Sequence, residues 1–213
     1  MNNLNESDLI EQIRALKNSE IREIVEKRIE EFRKLGRGSS REIFKELCFC
    51  LLTANFSAKG GMKIQNELGD GFITLSQDEL AERLRSLGHR FPNARAEYIV
   101  RARQLADNLK QIISEFDNTL ELRDWLAKHV KGLGYKEASH FLRNIGFTDV
   151  AIIDFHIIDI LVRHNIISRP KTLTKRRYID IEQKLQELGD EVGLNLAELD
   201  LYLWYLETGQ ILK

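Results

Sequence analysis

The chain has 213 residues, 43% of them hydrophobic and 31% charged, which is enough for one large domain or two small ones with a substantial core. No segment is long and apolar enough to cross a bilayer, no signal peptide is visible, and two cysteines argue against a disulfide framework, so we expect a reducing, cytoplasmic location. The net charge of −1 gives no overall attraction for nucleic acid, although arginines cluster between Arg83 and Arg103 and can form a local basic face.

The spacing of apolar residues predicts an all-α fold. Apolar positions recur with helical periodicity along the chain, and no run shows the alternation of a β-strand convincingly. Residues that favour helix N-caps stand before these segments: Ser39, Ser76, Asn118, Asp154, Thr174 and Asn195. Several of these caps have a glutamate three residues later, which is the pattern of a capping box.

A Gly-x-Gly turn separates two of the predicted helices. The first of these helices begins after Asn118, and the second stops near Gly146. Gly132 and Gly134 allow a sharp turn and a close approach of a ligand to the backbone. The turn leads into a helix, so free N–H groups and the positive end of the helix dipole can bind phosphate. The sequence therefore predicts a helix-hairpin-helix that holds a DNA backbone.

Lys136 follows the turn and falls in the first turn of the second helix. The partial positive charge at a helix N-terminus favours the neutral, nucleophilic form of an amine there. A lone lysine at such a position is usually a solvated surface residue, and a lone Gly-x-Gly usually marks only a turn. Together with an aspartate downstream, the two features are much more specific.

That aspartate, Asp154, lies in the apolar segment Val150–Ile158. The isoleucines after it have helical spacing, which predicts that Asp154 is an N-cap. Capping alone would explain its presence. A partly desolvated carboxylate at a helix N-terminus also stays ionised, because the dipole and the N–H groups stabilise its charge. Such a carboxylate suits the stabilisation of a developing cation.

A metal site is a further alternative, because Asp154, His156, Asp159 and His164 lie close together in the sequence. The first two do not share a helical face at that spacing, and no His-x₃-His pair is present. We therefore predict that the chain has no metal site.

The hairpin, Lys136 and Asp154 resemble the helix-hairpin-helix superfamily of DNA glycosylases. In that family the hairpin grips the DNA backbone, a lysine at its exit is the nucleophile of the bifunctional members, and a downstream aspartate assists. His156 matches a family position that contacts DNA phosphate. The related iron–sulfur members carry four cysteines after the catalytic helix, whereas this chain has only Cys48 and Cys50. The resemblance thus implies a glycosylase that needs no cofactor.

From about Leu51 to the end, the chain is most similar to the short 8-oxoguanine DNA glycosylase/lyases of archaea and some bacteria. The resemblance implies that Asn55 enters the space left by the flipped base and that Phe91 is an aromatic wedge. It also implies that Trp204 stacks on the flipped base and that the terminal Lys213 helps to read its polar edge.

His140 is a further candidate for base recognition. It lies one helical turn after Lys136 and is expected on the same side of the helix. The two interpretations, contact with the base and an ordinary histidine on the helix surface, are equally favoured.

The resemblance also implies two helical lobes with the active site in the cleft between them. Residues 43–149 would form a central lobe with the hairpin, and residues 1–42 with 150–213 would form the second. The expected partner is double-stranded DNA with a damaged base, bound by a monomer at the prokaryotic nucleoid, without a membrane.

Two alternatives remain open. The first is a glycosylase of the same fold that acts on another damaged base, such as an oxidised pyrimidine. The second is a non-catalytic helix-hairpin-helix module that only holds DNA. The pair of Lys136 and Asp154 argues against the module, because plain modules need the glycines but neither of these residues.

Overall fold

A computed structural model of the protein describes residues 5–213. The regular secondary structure of this part of the chain is all helical, without a β-strand. Residues 1–4 of the predicted second lobe lie outside the described residues. The predicted N-caps are confirmed, since each cap side chain accepts a backbone N–H group from the first turn of the helix that follows: Ser39, Ser76, Asn118, Asp154, Thr174 and Asn195. Within residues 5–213, no helix is long and apolar enough to cross a membrane.

The helices are, in chain order, α1 (Glu6–Lys17), α2 (Ile21–Gly36), α3 (Ser40–Thr53), α4 (Ala58–Leu68), α5 (Gly71–Thr74), α6 (Gln77–Ser86), α7 (Pro92–Ala102), α8 (Leu109–Ser114), α9 (Thr119–His129), α10 (Tyr135–Asn144), α11 (Phe155–Arg163), α12 (Lys175–Val192) and α13 (Leu196–Thr208). A short 3₁₀ turn, Arg103–Leu105, follows α7.

The chain divides into two compact units. The hairpin unit is Arg33–Gly146, and the terminal unit combines the residues up to Phe32 with Phe147–Lys213. The lobes expected from the sequence change after residues 42 and 149, so both observed boundaries lie earlier in the chain.

In the hairpin unit, α3 is the central helix. It is apolar on nearly all sides, and α4, α7, α8 and α10 pack around it. Cys48 and Cys50 are buried free thiols in this helix, as expected for small apolar core residues. The carboxylate of Glu46 joins three helices, since it accepts hydrogen bonds from Asn144 (2.6 Å) and Gln65 (3.0 Å). These contacts fix α10, the second helix of the hairpin, on the core.

In the terminal unit, the apolar face of α2 packs against α13. The cluster combines residues at i, i+3 and i, i+4 spacing in α2 with buried residues of α13: Ile21, Val25, Ile29, Phe32, Ala197, Leu201 and Tyr202. Helix α11 packs on α13, and α12 packs on both α1 and α13. Helix α13 therefore forms the core of this unit and also leads into the C-terminal tail.

Candidate active site

The two glycines of the hairpin turn have different structural roles. Gly132 has a φ of +88°, and a Cβ atom there would lie 2.2 Å from Cδ2 of Tyr98, so only glycine fits. Gly134 is extended, with φ −89° and ψ −174°, and is the N-cap of α10 without a side-chain cap. A Cβ atom at Gly134 would meet only the flexible carboxylate of Glu137, at 3.1 Å. Gly134 thus gives the first N–H groups of α10 no side-chain cap of its own.

Lys136 lies in the first turn of α10, as predicted. Its Nζ atom is 3.4 Å from Oε1 of Glu137, and the two side chains are partly buried. Glu137 could not be recognised from the sequence, because an acidic residue in a first helical turn is common and carries no special signal. The structure therefore places an amine and a carboxylate together at the exit of the turn.

A buried arginine anchors the start of α10. Arg123, in α9, donates a hydrogen bond to Oγ of Ser139 (3.2 Å), and its guanidinium lies 4.8 Å from the ring centroid of Tyr135. Both contacted residues belong to the helix that carries Lys136. An arginine in an amphipathic helix is normally expected at the surface, so sequence reasoning missed this contact.

His140 is buried, with 7% of its surface exposed, and its ring packs at the edge of Phe49 at a centroid distance of 5.6 Å. The interpretation as an ordinary histidine on the helix surface is therefore wrong. The physical reason is that α10 lies on the central helix α3, which covers this side of α10. Contact between His140 and a base stays a prediction.

The segments of Asn55 and Phe91 are joined inside the hairpin unit. Asn55 follows the end of α3 and adopts a left-handed conformation with φ +59°. Phe91 precedes α7 and is among the exposed large hydrophobic side chains. The buried side chains of His89 and Arg95 form hydrogen bonds between the two segments. The sequence contained no signal for either connecting residue.

In the terminal unit, Asp154 caps α11, and its Oδ1 atom accepts a hydrogen bond from the N–H group of Ile157 at 3.0 Å. The segment before it is held from α12. The hydroxyl group of Tyr178 accepts from the N–H group of Ile153 (3.1 Å) and donates to the carbonyl group of Ala151 (2.7 Å). Asp154 is therefore a partly exposed carboxylate on a rigidly anchored segment.

His156 and Trp204 lie together in this unit, with their rings edge to face at a centroid distance of 4.9 Å. Glu207 lies beside them, since its carboxylate is 4.0 Å from Nδ1 of His156 and 2.9 Å from the guanidinium of Arg163. Phe155 is 64% exposed and lies directly after Asp154. Neither Glu207 nor Phe155 could be recognised as part of this cluster from the sequence.

The C-terminal tail is attached to the core of the terminal unit. Gly209 ends α13 with φ +68°, and Oγ1 of Thr208 donates to the carbonyl group of Trp204 at 2.7 Å. Beyond the glycine, Ile211 packs against the cluster formed by α2 and α13. Lys213 is partly buried at the end of this attached segment.

The residues considered for a metal site have other contacts. Asp159 forms an ion pair with Arg169, and Nδ1 of His164 lies 2.9 Å from the carbonyl oxygen of Ile160. Over residues 5–213, no group of three or more His, Cys, Asp or Glu side chains is arranged to hold a metal ion.

A family model and individual relatives both match one family of proteins. A family model described as 8-oxoguanine DNA glycosylase matches residues 25–194. The 8-oxoguanine DNA glycosylase/AP lyase of Methanocaldococcus jannaschii is 56% identical over 206 residues, which cover 96% of this chain and 99% of that protein. The protein of the same name from Korarchaeum cryptofilum is 56% identical over 207 residues, which cover 97% and 98%.

A solved structure is similarly close. The crystal structure of the M. jannaschii 8-oxoguanine glycosylase/lyase in complex with a 15-mer DNA containing 8-oxoguanine matches with a TM-score of 0.94 and 55% identity. The match covers 96% of this chain and 99% of that chain.

Proposed function

The chain belongs to the 8-oxoguanine DNA glycosylase family, and we propose that it excises 8-oxoguanine from duplex DNA and cleaves the abasic strand through a Schiff base on Lys136. It is a DNA-repair enzyme with glycosylase and AP lyase activities. The observation that supports the residue assignment is the amine in the first turn of α10, at the exit of a glycine turn without a side-chain cap. Its place of action is the prokaryotic cytoplasm, at the nucleoid.

The glycosylase step begins with extrusion of the damaged nucleotide, because the target atom is inaccessible in the base stack. The Nζ atom of Lys136 attacks C1′ of the sugar. The C1′–N9 bond breaks, and its electron pair leaves with the base, which takes up a proton. The carboxylate of Asp154 stabilises the positive charge that develops on the sugar.

The lyase step follows from the covalent intermediate. The C1′–O4′ bond of the sugar ring then breaks, its oxygen takes up the proton that Nζ has lost, and a Schiff base remains between C1′ and Nζ of Lys136. Loss of a proton from C2′ then expels the oxygen on C3′ and cuts the strand on the 3′ side of the lesion. Water hydrolyses the remaining Schiff base and regenerates the amine, so the reaction needs no cofactor.

The remaining site residues bind the DNA. Gly132, Gly134 and His156 contact phosphates, Asn55 fills the space left by the extruded nucleotide, and Phe91 acts as the wedge. Base recognition involves stacking on Trp204 and polar contacts from Lys213 and His140. The edge contact between His156 and Trp204 supports this arrangement, because it holds a phosphate-binding and a base-binding side chain together in the terminal unit.

The proposed function is tested with a panel of duplexes, each with one modified base, incubated with the protein and borohydride. We expect cleavage and a trapped protein–DNA adduct on the duplex with 8-oxoguanine. Preferred cleavage of an oxidised pyrimidine would replace the substrate. Binding without cleavage or trapping on every duplex would identify a non-catalytic DNA-binding module.

Replacing Gly134 with alanine should weaken binding of undamaged and damaged duplex alike. The extended backbone at Gly134 accepts alanine, and the only nearby atom belongs to a flexible carboxylate, so the fold should be preserved. The added methyl group lies where the backbone meets phosphate. Losing one such contact, at roughly 1 kcal/mol, lowers affinity by about fivefold. Anisotropy titrations at fixed salt measure both affinities.

Gly132→Ala is the matched comparison for this prediction. The residue has positive φ and closely approaches the Tyr98 ring, so this variant should lose stability in thermal unfolding as well as affinity. A loss of affinity in Gly134→Ala that is confined to damaged duplex would contradict the role of this glycine in backbone binding.

Deleting Lys213, or extending the chain beyond it, should impair excision of 8-oxoguanine. Hydrogen bonds to charged groups contribute roughly 1.5–3 kcal/mol, so excision should slow by about tenfold or more. Strand cleavage at a preformed abasic site should be largely spared, because no base remains to be recognised. Single-turnover rates on the two substrates measure the difference, and excision at the wild-type rate would show that the tail does not read the base.

A further inference from the structure

The loop of Asn55 is held in an unfavourable conformation. Asn55 has φ +59°, and residues other than glycine persist in strained regions only when their surroundings hold them there. The residue before Asn55 is Ala54, the C-cap of α3. The contact that holds this loop therefore bears on how the probing side chain is presented to DNA.

Arg95, in α7, provides this contact. Its guanidinium donates a 2.6 Å hydrogen bond to the carbonyl oxygen of Ala54, and only 8% of the residue is exposed. The guanidinium also lies 5.8 Å from the ring centroid of Phe91 and 5.6 Å from that of Tyr98. The ring of Tyr98 in turn fills the space beside Gly132.

Burial of Arg95 is energetically unfavourable. The pKa of Arg95 is lowered by its removal from water, and its Nε atom has no hydrogen-bond partner among the described residues. The desolvation free energy of a buried positive charge is offset only by well-placed contacts. Those contacts are made with the carbonyl oxygen of Ala54 and with the rings of Phe91 and Tyr98.

His89 forms a second connection between the same segments. The N–H group of Phe91 donates to Nδ1 of His89 at 3.0 Å, and Nε2 lies 3.0 Å from the carbonyl oxygen of Leu52. Because Nδ1 accepts, Nε2 carries the proton and donates, which requires a neutral ring. The residue is 4% exposed, and burial lowers the pKa of His89, as does the nearby charge of Arg95. The neutral tautomer therefore bridges the wedge and the last turn of α3.

From these contacts we infer that Arg95 and His89 are positioning residues. They hold Asn55 and Phe91 in one fixed arrangement that extrudes the damaged nucleotide. The inference rests on the proposed function, because it assumes that Asn55 and Phe91 probe the duplex. Arg95 acts through the backbone of the loop and not by contacting a base, since the residue is only 8% exposed and its guanidinium donates to the carbonyl oxygen of Ala54. His89 sets the backbone direction at the wedge.

The test compares single-turnover excision of 8-oxoguanine from two duplexes. In one, the lesion is paired with cytosine. In the other, it faces a tetrahydrofuran residue that offers no base to pair, so part of the extrusion cost is removed in advance. Extrusion costs a few kcal/mol, so Arg95→Met should slow excision from the paired duplex by about tenfold more than from the unpaired one. Arg95→Lys, which can still donate to Ala54, should restore most of the difference.

Arg90→Met is the matched control. Its guanidinium lies 5.2 Å from the centroid of the same Phe91 ring, but Arg90 is exposed. The variant removes the same charge without the buried hydrogen bond to Ala54. We expect it to slow excision from both duplexes by one common factor.

The outcomes separate this inference from the proposed function. If Arg95→Met slows both duplexes equally, Arg95 has only a structural role and the inference is overturned. Should Arg95→Met not fold, His89→Gln on the same two duplexes decides in the same way. If the wild-type protein excises 8-oxoguanine from neither duplex, the proposed function itself fails.

Discussion

Glutamine in place of Lys136 should abolish borohydride trapping and strand cleavage while DNA binding is retained. In the proposed mechanism the Nζ atom of Lys136 forms the covalent bond, and removing a covalent nucleophile costs roughly a thousandfold or more in rate. Lys136 is only partly buried, and its Nζ atom contacts Glu137 at 3.4 Å, so glutamine should not disturb the core. Gel analysis of adducts and single-turnover cleavage of an 8-oxoguanine duplex measure the two effects.

Lys131→Gln is the matched control for the loss of charge. Lys131 is exposed and precedes the same glycine turn, so this variant removes one positive charge from the hairpin without removing the proposed nucleophile. Trapping at saturating DNA should persist in Lys131→Gln. Undiminished trapping in Lys136→Gln would assign the nucleophile to a different amine.

For Asp154→Asn we expect a loss of catalysis far larger than the loss of stability. Asparagine is a competent N-cap and can still accept from the N–H group of Ile157, so stability should change by less than about 1 kcal/mol. The carboxylate charge is lost, and removing one group that stabilises transition-state charge typically costs about 10²–10³ in rate. Urea unfolding and single-turnover excision measure stability and catalysis separately.

Asp154→Ala completes this comparison, because alanine removes both the charge and the cap. It should be as slow as Asp154→Asn in excision but less stable by about 1 kcal/mol. If excision falls only in proportion to the unfolded fraction in both variants, Asp154 is a helix cap and nothing more.

The helix starts and the hairpin could be predicted from the sequence because their signals are local. A cap such as Ser39 or Asp154 bonds to a backbone group three residues away, so a short window of sequence contains both partners. The turn at Gly132 and the position of Lys136 in the first turn of α10 depend on the same short range.

The boundary between the units and the burial of polar side chains were decided by tertiary packing. His140 is buried because α10 lies on α3, a relation between helices far apart in the sequence. The contact of Arg123 with Ser139 also depends on packing, because it forms only when the two helices of the hairpin, α9 and α10, lie against each other. Charged and polar residues are exposed by default, so an amphipathic pattern alone cannot identify the few that are buried.

The hydrogen bonds around Asn55 and Phe91 show this limit most clearly. Arg95 and the Ala54 carbonyl are 41 residues apart in the sequence, and His89 and the Leu52 carbonyl are 37 residues apart. Their partners are main-chain atoms, which every residue has, so the sequence contains no mark of the pairing. Local sequence signals placed Lys136 and Asp154 at the starts of their helices. The contacts of Arg95 and His89 around Asn55 and Phe91 form only when α3 and α7 pack together, so the sequence alone could not predict them.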